Sequence, residues 1–308
     1  MLDSRLTASA DAPMTEKRSM DAAGALALTG FAALLGFNQV VIKIANGGFG
    51  PVFQAGLRSL IALAVILLWV WLRKPRLRPE GGVPKGAHSW GFVVGILFTA
   101  EFICLFWALD VSSVSRVTII FNSMPVWLAL AAHLWLPGER LSGLRVAGLV
   151  LAMGGVVLAV LDRDASGASV LGDVLALTST LCWAGIAFCV RATPLSKVPA
   201  VTQLVYQLAV SAVLLLALSP LFGPMLRAPE AIHVAGVLFQ AIAIASLGYL
   251  LWFWLFTIYK AGSVASFSFL SPVLAVLMGW LILGETLTYE VWLALALVAA
   301  GVFLINRA

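Results

Sequence analysis

Residues Ser123–Leu141 read SMPVWLALAAHLWLPGERL, and residues Leu270–Leu287 read LSPVLAVLMGWLILGETL. In each, a proline opens an apolar run that closes on Gly-Glu, with a leucine two residues later. Pro125 pairs with Pro272 at a spacing of 147, and Gly138-Glu139 with Gly284-Glu285 at 146. Other echoes keep nearly the same offset. LLGFNQVVIK (Leu34–Lys43) returns as CWAGIAFCVR (Cys182–Arg191) and Pro51 returns as Pro199, both at 148, while Trp107 returns as Trp254. A repeat on this scale means that one unit of about half the chain occurs twice, and every local reading has to respect it.

The composition says what kind of unit it is. Of 308 residues, 62% are hydrophobic and 11% charged, whereas a soluble domain carries about 25% charged residues. The apolar residues fall into blocks of about 20, the length that crosses a bilayer as a helix. Ten spans are expected: Ala22–Ala45, Pro51–Leu72, Trp90–Leu109, Val114–Leu136, Leu144–Leu161, Asp173–Ala192, Val201–Ser219, Ile232–Thr257, Gly262–Leu283 and Tyr289–Ile305. The fold class is therefore an all-α polytopic membrane protein. Cys104, Cys182 and Cys189 all lie inside spans, so no disulfide framework and no metal-ligand cluster is expected.

Lysine and arginine orient the spans. Counted on alternate sides, fourteen lie on one side and only Arg163 and Arg227 on the other, leaving Lys43, Arg58 and Arg116 within spans or at their ends. The rich side should face the cytoplasm, which puts both the N and C termini there. The basic residues thus mark topology, and no nucleic-acid partner is expected from the net charge of +5. The expected units are a polar cytoplasmic tail 1–21 without signal-peptide character, a first five-helix repeat 22–161, a connecting loop 162–172 and a second five-helix repeat 173–308. Five spans is an odd number, so the second half must lie inverted in the membrane. Inverted repeats are a hallmark of secondary transporters, which bind at the midplane between the halves.

With these motifs in view, the chain resembles the EamA-type members of the drug/metabolite transporter superfamily over about residues 22 to 306. The resemblance rests on Gly36-Phe37-Asn38 through Lys43, Arg58 after Pro51, Ser123-Met124-Pro125 and Gly138-Glu139-Arg140-Leu141, in this order and duplicated. It implies ten helices in two inverted repeats, with the first four helices of each half around a central cavity and the fifth and tenth to the side. The chain departs from the family at Leu35, where a tryptophan is frequent; the matching Trp183 is present. The resemblance also implies export of amino acids, other metabolites or toxic compounds, with aromatic amino-acid exporters as a neighbouring subfamily.

Several residues are chemically out of place in hydrocarbon. Glu101 stands alone in LFTAEFICLFWAL (Leu97–Leu109) near mid-depth, and its repeat counterpart is Leu247 or Gly248. A charge near the bilayer centre costs a few kcal/mol or more, so Glu101 should face the interior. There it either pairs with Arg58 or Lys43 as a structural anion or meets a substrate ammonium or a coupled proton. Arg58 lies about two turns into its span and Lys43 near the end of its own; each reads either as a structural charge partner or as an anion-recognition group. Asn38, Phe98, Thr118, Asn122, Trp183 and Tyr249 are expected to line one cavity with Glu101. Pro125 and Pro272 should break hydrogen bonds to the carbonyls of Phe121 and Ser268 and serve as symmetric hinges. The small residues Gly148, Ala152 and Gly155, with Ala296 and Ala300, read as a packing seam.

No nucleophile–base pair, His-Glu-x-x-His or carboxylate cluster lies at membrane depth, and no Walker motif is present, so neither an enzyme nor an ATP-driven pump is expected. The expected function is secondary export of small metabolites, amino acids and particularly aromatic or hydrophobic ones, across a bacterial inner membrane, by alternating access and without a cofactor. The alternatives are a channel-like facilitator of small solutes and a drug or organic-cation efflux carrier.

Overall fold

The computed structural model describes residues 21–74, 77, 79, 82–136, 139, 141–162, 169–258 and 270–307. They form α1 (Ala22–Asn46), α2 (Pro51–Arg73), α3 (Ala87–Val111), α4 in two segments (Val114–Phe121 and Met124–Trp135) and α5 (Gly143–Leu161). The second half gives α6 (Val170–Ala192), α7 (Ala200–Leu218), α8 (Ala231–Phe239, Gln240–Gly248 and Tyr249–Ile258), α9 (Leu270–Leu283) and α10 (Tyr289–Arg307). Eight spans are long and apolar enough to cross a membrane, and the shorter apolar helices Leu270–Leu283 and Tyr289–Ile305 complete the ten. Large apolar residues such as Leu26, Leu68, Leu134, Val150 and Val213 cover the outside, as a lipid-facing surface requires. The tail to residue 20, Gly138, Arg140, Arg163, Lys260, Phe267 and Ser268 lie outside the described residues, as does most of the connecting loop.

Helix ends follow local chemistry. Asp21 accepts from the Gly24 amide at 2.7 Å to start α1, and Ser113, Ser142 and Ser169 cap α4, α5 and α6 in the same way. These side chains satisfy amides that have no partner in the first turn. Pro51 opens α2, where no amide is needed.

Packing carries the repeat into space. α1 lies on α9 as α6 lies on α4, and α3 packs against α6 and α7 as α8 packs against α1 and α2. The pairs α2–α7 and α5–α10 map onto themselves. Exchanging helix n with helix n+5 thus preserves the contacts, and the odd helix number per half makes equivalent helices antiparallel. The architecture is two inverted five-helix repeats.

Two helices are irregular. In α4 the missing amide of Pro125 leaves the Phe121 carbonyl without its helical donor, and the helix breaks at Asn122 and Ser123. The Ser123 hydroxyl at 2.6 Å and Thr180 from α6 at 3.3 Å both donate to the Ile120 carbonyl. Pro272 is buried in the first turns of α9. In α8, Gln240–Gly248 is wound as a π-helix, in which amides reach five residues back. No residue pattern foretold that winding.

One seam differs from expectation. On α5, Gly148, Ala152 and Gly155 are buried as a stripe, but their partners on α10 are Ala294, Val298 and Gly301, while Ala296 and Ala300 face outward. A Cβ at Gly301 would come within 2.5 Å of the Gly148 carbonyl oxygen and the Ala152 nitrogen, so the two backbones are nearly in contact. In a bilayer both faces of a helix are apolar, and small residues on the lipid side imitate a seam.

Candidate functional site

A cavity of about 330 Å³ lies between the halves. α1 supplies Leu28, Phe31, Leu35, Asn38 and Gln39; α2 supplies Arg58; α3 supplies Glu101, Phe102 and Leu105. The wall is completed by Phe121 and Asn122 at the break in α4, Trp183 on α6, Ile244, Tyr249 and Trp252 on α8, and Ser271 on α9. Along α1 the lining runs ten residues from Asn38 back to Leu28, about 15 Å at 1.5 Å per residue. It therefore extends from mid-depth toward the end of the bundle that carries both termini.

Its chemistry is mixed. Two aromatic stacks border it: Phe121 on Trp183, with centroids 4.7 Å apart, and Phe31 on Trp252 at 5.2 Å. Between them, Asn38 Oδ1, Gln39 Oε1, Glu101 Oε2 and Nε and Nη1 of Arg58 are buried without a hydrogen-bond partner. Buried polar atoms normally find partners, so this concentration of unsatisfied donors and acceptors on one wall marks where a polar ligand would be held.

Of the residues expected here from sequence, Asn38, Glu101, Asn122, Trp183 and Tyr249 line the cavity, while Phe98 and Thr118 do not. Phe98 packs edge-on against Phe102, 4.4 Å between centroids, on a buried part of α3. Thr118 is 1% exposed, and its carbonyl accepts from the Asn122 side-chain amide at 2.8 Å. Both share a helical face with lining residues of their helices but lie one turn before them, where neighbouring side chains bury them. Leu35 and Trp183, equivalent in the repeat, both reach the cavity, so the departure at Leu35 exchanges an indole for a smaller side chain on one wall only. Sequence reading missed Phe31 and Trp252, for which an aromatic on an apolar helix gave no distinguishing signal.

The two cations considered for Glu101 separate clearly. Lys43 donates to the carbonyls of Leu109, at 3.0 Å, and Ser112, and so caps the end of α3. Arg58 is the cation whose field reaches Glu101.

The end of the bundle opposite the termini is closed by polar contacts. Glu285, in the α9–α10 loop, accepts from the amides of Val114 at 2.6 Å and Ser115 at 3.0 Å and from the Ser115 hydroxyl at 2.6 Å. It thereby caps α4 across the halves. Arg116 is 2% exposed; it binds both carboxylate oxygens of Asp173, at 2.5 and 2.8 Å, and the carbonyls of Asp162 and Val160. Thr288 donates to Asp162 at 2.5 Å, and Arg227 pairs with Asp110 at 2.8 Å. Among the described residues no group of three or more His, Cys, Asp or Glu could hold a metal.

The EamA-like transporter family model matches this chain twice, over residues 22–161 and 170–307. A Bacillus subtilis protein described as the uncharacterized transporter YvbV is 28% identical, the match covering 92% of this chain and 91% of that protein. A probable amino-acid metabolite efflux pump of Escherichia coli strain K12 is 27% identical over 87% of this chain and 90% of its own length. A solved crystal structure, 20% identical, superposes with a TM-score of 0.62 over 92% of this chain and 96% of its own, and shows the same fold. The chain belongs to the EamA-like transporter family and is a multi-pass protein of the cell membrane.

Proposed function

We propose that this chain exports small metabolites, foremost amino acids with aromatic or hydrophobic side chains, by alternating access around the cavity between its halves. The observation that carries this reading is the cavity wall itself. Partnerless polar atoms lie beside two aromatic stacks, and every one of the four inner helices of the first half contributes. Such a wall matches a ligand with a polar head and an apolar body, whose apolar part supplies affinity while the polar groups set orientation. The name of the Escherichia coli relative as a probable amino-acid metabolite efflux pump supports the same class. In this reading the moving units are 22–161 and 173–308, joined by 162–172, with bends at Pro125 and Pro272. The termini face the cytoplasm, transport proceeds without a chemical step, and Glu101 is where a coupled proton would ride.

Purified protein in liposomes should give saturable uptake of labelled aromatic amino acids, accelerated by unlabelled substrate inside. Linear flux without counterflow would replace the carrier by a channel-like facilitator. The buried carboxylate of Glu101 is the one feature that favours an organic-cation efflux carrier, and flux confined to organic cations would establish that instead. Within the carrier reading, Trp183→Ala should lower transport of aromatic substrates about tenfold and of small ones far less, the lost ring contact being worth about 1.4 kcal/mol. An equal loss for both, at normal expression, would remove Trp183 from ligand contact.

A further inference from the structure

Two opposite charges face this cavity from neighbouring helices, and each keeps buried polar atoms without a hydrogen-bond partner. Arg58 is 3% exposed and Glu101 5%. Among the described residues the ion pairs within 4.0 Å are Arg116–Asp173, Arg191–Glu139 and Arg227–Asp110, so Arg58 and Glu101 are not joined. The Arg58 guanidinium lies instead over the ring of Phe102, 4.3 Å from its centroid, with Nε and Nη1 unpartnered; Glu101 Oε2 is unpartnered as well. Stacking on a ring fixes the plane of a guanidinium and leaves its edge to be read. The same chain shows at Arg116 and Asp173 that it can close a buried pair with both oxygens engaged. At mid-depth the pair is held open.

We infer that Arg58 and Glu101 form a zwitterion receptor: the Arg58 edge takes a carboxylate, and Glu101, with the unpartnered Asn38 Oδ1 that lines the same cavity, takes an ammonium. A free α-amino acid carries both groups on one carbon, and its side chain would then point along the cavity between Trp183 and Trp252. The inference rests on reading the cavity as the transport site and goes further, because it fixes the head group of the substrate. A zwitterion satisfies both charges at once. An amine without a carboxylate leaves the buried arginine bare, and an N-acylated acid leaves the buried glutamate bare, which is the costly case for a buried charge. Each missing charge-assisted hydrogen bond should cost about 100-fold in affinity.

The test is a fluorescence titration of the purified full chain, with cavity tryptophans as reporters, against two matched ligand series. One is phenylalanine, phenethylamine and N-acetylphenylalanine; the other is leucine, isoamylamine and N-acetylleucine. The amino acid should bind about 100-fold tighter than its two relatives. Arg58→Gln should abolish the advantage over the amine while leaving amine affinity within about threefold, and Glu101→Gln should do the same for the N-acyl acid. Wild-type protein alone decides the matter if a variant does not fold. Equal affinity within a series, or a preference for the amine, overturns the receptor and leaves the transport site standing. Head-group discrimination in the leucine series alone supports the receptor and removes the aromatic preference. Absence of binding and of flux for every ligand overturns both readings.

Discussion

Glu139 and Glu285 occupy the same place in the repeat and hold opposite ends of the bundle in different ways. Glu285 is 7% exposed, and its carboxylate collects two amides and a hydroxyl from the start of α4. Glu139 forms an ion pair with Arg191 in which the side chains are 34% and 46% exposed. Their cationic counterparts diverge as well. Lys43, equivalent to Arg191, is spent on the carbonyl end of α3 while lying in the field of Glu285 and Asp110. Identical repeat residues therefore make a buried clasp at one end and a solvated contact at the other. Buried hydrogen bonds to a charge contribute about 1.5–3 kcal/mol each, and an exposed ion pair about 0–1 kcal/mol. The cavity lining runs toward the weakly held end, at Leu28 and Trp252. Repeated sequence thus does not impose a symmetric state: the two ends of the bundle are held by contacts of different strength.

The comparison can be broken by substitution. Asp173→Asn should have the largest effect, a loss of about 3–5 kcal/mol in thermal or denaturant stability in detergent, because it strands Arg116 without its anion. A loss below about 1 kcal/mol would mean that the Val160 and Asp162 carbonyls alone hold the guanidinium and that the clasp is weaker than its geometry. Next, Glu285→Gln should cost about 2 kcal/mol, since a side-chain amide cannot serve three donors, against about 0.5 kcal/mol for Glu139→Gln after solvent screening. Equal losses for the two glutamates would erase the difference between the ends. The smallest effects belong to the cations: Lys43→Met should cost about 1 kcal/mol through the lost cap on α3. Arg191→Met should cost about 0.5 kcal/mol or less, a loss that vanishes in high salt.

Much of the architecture was legible because a bilayer enforces run length. Apart from the expected start at Gly262, which lies outside the described residues, the spans start and stop within about a turn of their expected limits, and the doubled motifs gave the inversion. What escaped were features for which hydrocarbon gives no contrast. Ala296 and Ala300 looked like a seam, yet Ala294 and Gly301 make the contact, since both faces of α10 are apolar. Phe98 looked as eligible for the cavity as Phe31, and only packing distinguishes them. Polar residues were more readable: Asn38, Glu101 and Asn122 had to face the interior, and they do. Thr118 was the exception, because a hydroxyl is small enough to be buried between helices without reaching the cavity. The π-wound part of α8, whose repeat counterpart α3 is regular, left no trace in the residues. Arg58 was expected either as a charge partner or as an anion-recognition group, but its stacking on Phe102 depends on a ring from the next helix.

The clasp at Val114–Arg116 also sets the order in which the protein can be completed. Arg116 leaves the ribosome with the fourth helix, but Asp173 follows 57 residues later and Glu285 lies 171 residues beyond Val114. Until Asp173 is made the nascent first half holds a cation without its anion, and until Glu285 is made the amides of Val114 and Ser115 lack their carboxylate. The first half thus relies on residues of the second to satisfy the start of its fourth helix. The last helices to be made deliver Glu285 and Thr288 to contacts that the earlier ones left open, and the fold is secured only then.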